Sequence, residues 1–298
     1  IALIALVLGY LYLPKEKADI SQSFDWVGFI YLGVSIVLLL GTLSQIHHLE
    51  DLYQPVYWLL LTIAGLTFWQ FLTSQKRQTS PLIEPALFST QGFRFSLIIC
   101  VVQTVGLFIG MLLIPLWIQH SLKLSPLWTG FALMSSALVT GLCSQPAGKY
   151  LDRYGAAKIM SLGIVITALS FALLAWAPVQ NVWFIIFCML LHGLGMGLSY
   201  MPSTTAGLNS LRQQQQHLVT QAAALNNLFR RLFAAVAVVL AALYLQLRQD
   251  IFQTSVHTHT DSFRATQEIF IFCTVLILCA LPYAWRFPDQ HKTNELNK

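Results

Sequence analysis

Phe95-Ser-Leu-Ile-Ile-Cys-Val-Val-Gln-Thr-Val-Gly-Leu-Phe-Ile-Gly-Met-Leu-Leu-Ile-Pro-Leu-Trp-Ile-Gln119 carries no charged residue from end to end. Its apolar side chains are continuous rather than alternating, which excludes a strand of a membrane barrel. At 1.5 Å per residue the run exceeds the roughly 20 helical residues needed to cross a hydrocarbon core. Outward from it, Pro, Gly and charge clusters cut the chain into similar pieces. They are Trp26 to Gln45, Val56 to Leu72, Thr129 to Ala147, Ile159 to Ala177, Val182 to Ser203, Leu225 to Gln246 and Ile269 to Trp285. With the quoted run they make eight complete spans. The run from Ile1 to Leu13 is too short to cross, so we expect it to be the end of a helix that begins upstream, and the sequence to be a fragment.

Composition agrees. Of the 298 residues, 56% are hydrophobic and 10% charged, and the mean hydropathy is +0.64. A soluble domain carries about 25% charged residues, so lipid is the expected solvent. The net charge of +5 does not imply nucleic acid, because the basic residues sort by loop. If the first run ends in the cytoplasm, one side holds Lys15, Lys17, Lys76, Arg77, Arg94, Lys149, Arg153, Lys158, Arg212, Arg230, Arg231, Arg286, Lys292 and Lys298. The other side holds Lys123, Arg248 and Arg264. That is the asymmetry of the positive-inside rule. It predicts a multi-pass protein of the plasma membrane (the inner membrane of a Gram-negative cell) with a cytoplasmic C-terminus. The cysteines Cys100, Cys143, Cys188, Cys273 and Cys279 sit in apolar runs without ligand spacing, so no metal, disulfide or cofactor is expected. His257 and His259 share an outer loop with Asp261 and Glu268, where a solvated loop is the simpler reading than a metal site.

The most informative loop is Gly148-Lys-Tyr-Leu-Asp152-Arg153-Tyr-Gly155-Ala-Ala-Lys158. Its glycines allow a tight reversal, and Asp152 near a helix start would be favoured by the macrodipole. The pattern resembles the G-x-L-x-D-R-x-G-R-K gating loop of the major facilitator superfamily, with matches at Gly148, Asp152, Arg153 and Gly155. Tyr150, Ala156 and Ala157 depart from it, as in the weaker copy in the second half of such proteins. Other stretches are similar to the fourteen-helix drug:proton antiporters of that superfamily: Ser23-Phe-Asp25-Trp26-Val-Gly28, Pro81-Leu-Ile-Glu84-Pro-Ala-Leu-Phe88, Pro115 with Gln119, Ser125-Pro126-Leu127 with Gly130, Gly193-Leu-Gly195-Met-Gly197 with Pro202-Ser-Thr-Thr205, and Asn226-Asn227 with Arg230-Arg231 at a cytoplasmic helix start.

The resemblance implies an all-α integral membrane protein of the major facilitator fold. Residues 1–13 would end a truncated helix and 14–80 would form two linker helices. Residues 81–298 would form the C-terminal six-helix bundle with a cytoplasmic tail, built from inverted three-helix repeats. It also implies proton-coupled efflux of small amphipathic substrates by alternating access, with the N-terminal half as the missing partner and holder of most of the coupling acids.

Ionisable groups at membrane depth suggest function. His192 stands near mid-span as a packed imidazole, a cavity residue or a proton carrier. Residues 192, 196, 199 and 203 share a helix face distinct from that of Gly193 and Gly197, whose spacing suits helix packing. Gln103 is placed either to face a substrate path or to bond a neighbouring helix. No Asp, Glu, Lys or Arg is as deep. The run Gln213 to His217 reads as a solvated linker. An embedded enzyme is disfavoured, since His192 and Ser199 lie about 10 Å apart along one helix, too far for a nucleophile and its base. A carrier of another solute stays open.

Overall fold

The backbone enters its first described helix through a carboxylate. Asp25 caps α1 (Trp26–Gln45) by accepting the Gly28 N–H at 2.8 Å, which satisfies one of the orphan donors of a helix start. The same carboxylate accepts from Gln75 Nε2 at 2.6 Å and Gln78 Nε2 at 3.2 Å. Gln75 ends α2 (Pro55–Gln75) and accepts the Ile83 N–H at 3.0 Å. One buried acid thus ties together both ends of an antiparallel hairpin and the segment leading into the next helix. A Cβ on Gly28 would collide with Asp25 and Gln75, which gives the Asp25-Trp26-Val-Gly28 stretch a physical reason.

The computed structural model describes residues 25–288 except 47–50, 52, 76–77, 79–80, 177–180, 216–217 and 253–257. The run at 1–13 and the tail beyond 288 therefore lie outside the described residues. Six further membrane-length helices follow the hairpin: α3 (Gln91–Leu116, continued by a π turn Trp117–Ser121), α4 (Pro126–Tyr154), α5 (Ala156–Trp176), α6 (Val182–Gln214), α7 (Val219–Phe252) and α8 (Thr258–Leu278). A short α9 (Leu281–Trp285) closes the last span. Among the described residues, eight helices are long and apolar enough to cross a membrane, in the order that the apolar runs predict.

Several boundaries differ from expectation. Helix α6 runs on to Gln214, so Gln213 and Gln214 of the expected linker are helical and Gln215 caps the helix, with Gln216 and His217 outside the described residues. Helix α7 begins at Val219 rather than Leu225. The final span, expected to be continuous to Trp285, breaks at Cys279 and Ala280. Pro282 explains the break, since it has no N–H for the carbonyl four residues back and its ring crowds that position.

Packing centres on α6, which is clasped on several sides. A Cβ on Gly193 would overlap the Ser136 backbone of α4. A Cβ on Gly195 would lie 2.7 Å from the Gly163 carbonyl oxygen of α5. Against α3, Ser96 Oγ donates to the Ser203 carbonyl at 2.6 Å and Ser203 Oγ returns a bond to the Ser96 carbonyl at 3.3 Å. Small residues let backbones approach where no hydrophobic effect drives helices together. The core beside them is filled by Ile99, Leu113, Met160, Ile164, Phe171 and Phe270. Large apolar side chains such as Trp58, Leu142, Trp176 and Phe272 face outward, as suits a molecule whose solvent is hydrocarbon.

Contacts identify two ends. Gln221 donates to the carbonyls of Pro81 and Leu82, and Gly92 lies against Ser210 and Pro288. These share the end of Asp25 and Gln75, and it is the end rich in Lys and Arg. At the other end Trp128 stacks edge-on against Trp183 at 5.4 Å. The alternation required by the charge asymmetry is present in the backbone.

Candidate functional site

A line of polar side chains runs through the middle of the bundle. Gln103 on α3 donates through Nε2 to Ser199 Oγ on α6 and, at 3.5 Å, to Thr167 Oγ1 on α5. Thr167 and Ser199 also bond back to the carbonyls four residues earlier on their own helices. Further along α6, His192 Nδ1 pairs with Ser136 Oγ of α4 at 3.0 Å. Its ring meets Phe171 of α5 edge-on at 5.3 Å. Four helices are thereby pinned through polar contacts at membrane depth.

The network is incomplete. Gln103 Oε1 and His192 Nε2 are buried without a hydrogen-bond partner among the described residues. Each such atom costs about 1–3 kcal/mol, so these are points of imperfect satisfaction in an otherwise paired core. The face shared by His192, Met196, Ser199 and Ser203 is sealed, with no member more than 2% exposed. Any segment that packs onto this bundle from outside meets other side chains first. Gln103 bonds neighbouring helices and is 1% exposed. His192 pairs with Ser136, a partner that sequence spacing along a single helix does not reveal. A serine and an imidazole within hydrogen-bond reach resemble a nucleophile and its base, but both are buried, and no described acid orients the ring.

Gly193 and Gly197 both turn toward α4, where a Cβ on Gly197 would lie 2.8 Å from that of Cys143. The reversal at 148–158 is built differently from expectation. Helix α4 continues through Gly148, where an added Cβ meets nothing within 4 Å. Only Gly155 makes the turn, with φ 87° and its N–H donating to the Leu151 carbonyl. An isolated helical glycine costs only about 1 kcal/mol, so the helix tolerates Gly148 and stops where a positive φ is required. Asp152 accordingly stands in the last turn of α4 and not at a helix start, which reverses the sign of the macrodipole argument for its own helix. Arg153 in the same turn has the favourable sign, and lies 5.4 Å from the Tyr154 ring.

Arg230 and Arg231 also move relative to expectation. With α7 beginning at Val219 they stand about three turns inside the helix. Arg230 donates to Asn227 Oδ1 at 2.9 Å and sits 4.8 Å from the Tyr200 ring of α6, a cation–π distance. The aromatic face and the amide explain how a guanidinium is held this far along an apolar helix.

One constellation escaped the sequence reading. Glu268 of α8 accepts from Arg248 Nη2 at 2.7 Å and from the Tyr244 hydroxyl, both on α7. A cavity of about 640 Å³ opens beneath it between α3, α7 and α8. Assigning 249–268 to a loop hid these residues, because α8 starts at Thr258 and carries Glu268 within it. The available signal was Tyr244 and Arg248 at i and i+4, hence on one helix face. His257 and the side chains of His259 and Asp261 lie outside the described residues, and no metal-binding cluster occurs among the described ones. All five cysteines are free; Cys279 is exposed rather than buried.

Two overlapping stretches, residues 1–238 and 96–298, match the family model described as Major Facilitator Superfamily. The Multidrug resistance protein B homolog of Mycobacterium tuberculosis is 26% identical over 72% of this chain and 41% of its own length. The Lincomycin resistance protein LmrB of Listeria innocua is 27% identical over 49% of the chain and 31% of its own. The Riboflavin transporter RibZ of Clostridioides difficile is 24% identical over 72% and 46%. The chain spans less than half the length of these relatives.

Proposed function

Because this chain belongs to the Major Facilitator Superfamily, we propose that it is the C-terminal part of a proton-coupled exporter of drugs or other amphipathic compounds. The observation that carries the reading is the architecture: a six-helix bundle preceded by a two-helix membrane hairpin, in a chain similar to proteins named for multidrug and lincomycin resistance. Gln75, held by Asp25, ties that hairpin to the segment leading into the bundle. In such a transporter this bundle rocks against an N-terminal one around a shared central site. The polar pins between α3, α4, α5 and α6 keep the bundle rigid while it moves.

The partners in this reading are the amphipathic substrate, protons, the bilayer and the N-terminal half of the same transporter. Its membrane is the plasma membrane, with the Lys- and Arg-rich end and the C-terminus in the cytoplasm. Residues 148–155, the last turns of α4 and the glycine that ends it, lie at the cytoplasmic end beside the gate. His192 and Gln103 act as packing and hydrogen-bonding groups that hold the bundle, since both are sealed from any approaching ligand. A second reading, a carrier for a nutrient-like solute, is favoured by the similarity to the riboflavin transporter. The experiment that separates them expresses the transporter containing this chain in a drug-hypersensitive host and in a riboflavin auxotroph. Export predicts raised resistance to several chemically unrelated amphipathic compounds and no rescue of riboflavin uptake. Rescue without resistance overturns it.

A further inference from the structure

A second cavity, of about 530 Å³, lies between α5 and α8. Ala172 and Ala175 of α5 form its floor, because two alanines leave the helix surface low. Trp176 of α5 and Ile271 and Val275 of α8 stand up around them, each more than half exposed. In a molecule whose solvent is hydrocarbon, such an opening faces lipid. The groove is about one leaflet deep. From Gln267 to Val275 an α-helix rises about 12 Å, against roughly 15 Å for half of a hydrocarbon core.

Its polarity is graded along that depth. Trp176 ends α5, and Gln267 stands near the start of the apolar part of α8. Both lie at the end away from the Lys- and Arg-rich surface, which the charge asymmetry assigns to the outer leaflet. An indole and an amide suit the headgroup level. Deeper in the groove, Thr274 turns its hydroxyl back to the Phe270 carbonyl at 2.8 Å, so the wall there is effectively apolar. Arg264 supplies a charge above the groove. It precedes Gln267 by one turn on the same face of α8, and it is exposed. The carboxylate of Glu268, close by, is engaged by Arg248 and Tyr244 of α7.

A guanidinium over an apolar groove of leaflet depth is complementary to a phosphate that carries an acyl chain. We propose that the groove between α5 and α8 holds an anionic phospholipid of the outer leaflet, its phosphate at Arg264 and Gln267 and one acyl chain over Ala172 and Ala175. A cationic amphiphile would bring its charge against the guanidinium. A helix from another chain would set apolar side chains against Arg264. The inference goes beyond the export reading, and only the choice of leaflet rests on the orientation given with it.

The test titrates the purified 298-residue chain in detergent with dioleoyl-phosphatidylglycerol and, separately, with dioleoyl-phosphatidylcholine. Native mass spectrometry counts the lipids bound. Phosphatidylglycerol held by the cytoplasmic basic residues is common to all variants, so the reading is the one lipid that a variant loses. Arg264→Gln should weaken one phosphatidylglycerol-binding step by about fivefold, the factor a single basic residue near a membrane surface supplies, and leave phosphatidylcholine unchanged. Lys123→Gln, at the same end but outside the lining, should change neither. Ala172→Trp should remove the same lipid by filling the groove. Circular dichroism and a single size-exclusion peak report whether each variant is folded. If Ala172→Trp does not fold, Ala172→Leu replaces it, with a several-fold loss expected. Unchanged phosphatidylglycerol binding in a folded Arg264→Gln variant, or an equal loss in Lys123→Gln, overturns the proposal. A dimer of the unaltered chain that Ala172→Trp dissociates also overturns it, by making the groove a protein interface.

Discussion

At the scale of single residues, His192 carries the sharpest consequence. Its Nδ1 has a partner in Ser136, its Nε2 has none among the described residues, and the ring is sealed between α4, α5 and α6. A residue placed this way holds helices together, and on the proposed function it does not touch a substrate. In the intact transporter, His192→Gln keeps a hydrogen-bonding group toward Ser136 and should leave transport and its pH dependence unchanged. His192→Leu gives up that bond and also removes the orphaned nitrogen, so the net cost should be about 1 kcal/mol or less, seen as slightly lower abundance. Transport assays across pH on both variants decide the matter. Loss of pH dependence at normal abundance in both would make His192 a proton carrier and contradict the structural account. The sequence marked this residue because an imidazole stands out in an apolar run. It did not show the partner, because pairing between α4 and α6 depends on helix rotation. Glu268 went unmarked for a related reason: the acid seemed to lie in a loop until α7 and α8 extended past their apolar runs.

Elements are governed by how closely α6 approaches its neighbours. Gly193 faces the backbone of Ser136, and Gly195 faces Gly163 and Thr167. Gly193→Ala and Gly195→Ala should each force the helices apart at a cost of about 1–3 kcal/mol. Gly148→Ala enters open space on a helix and should stabilise α4 by up to about 1 kcal/mol. Thermal unfolding of the purified chain measures all three. The account fails if Gly148→Ala destabilises as much as the α6 variants do. The helices themselves were legible because a continuous apolar run of bilayer length has few alternatives. Their ends were less so: charged or polar turns at Gln214, Val219 and Thr258 remain helical beyond the apolar core, where composition gives no signal. The Gly193 and Gly197 pair was visible as small-xxx-small spacing. The close approach of Gly163 and Gly195 involves two helices and leaves no pattern in either alone.

For the molecule as a whole, the contacts place Asp25, Gln75, Gly92, Ser210, Gln221 and Pro288 toward one end, and Trp128, Trp183, Arg248 and Glu268 toward the other. Orientation in the bilayer then follows from charge. In a background lacking the five native cysteines, single cysteines at 153 and 215 should resist an impermeant thiol reagent applied to intact cells, and cysteines at 123 and 181 should react. Equal labelling of both sets would contradict the assigned orientation. The central claim, that this bundle serves proton-coupled export, is tested most directly in everted membrane vesicles bearing the transporter that contains this chain. When respiration acidifies the lumen, an amphipathic cationic dye should accumulate inside, each addition of dye should release protons from the lumen, and an uncoupler should abolish both. Dye accumulation that persists after the proton gradient is collapsed, or proton movement that ignores the dye, would contradict the account.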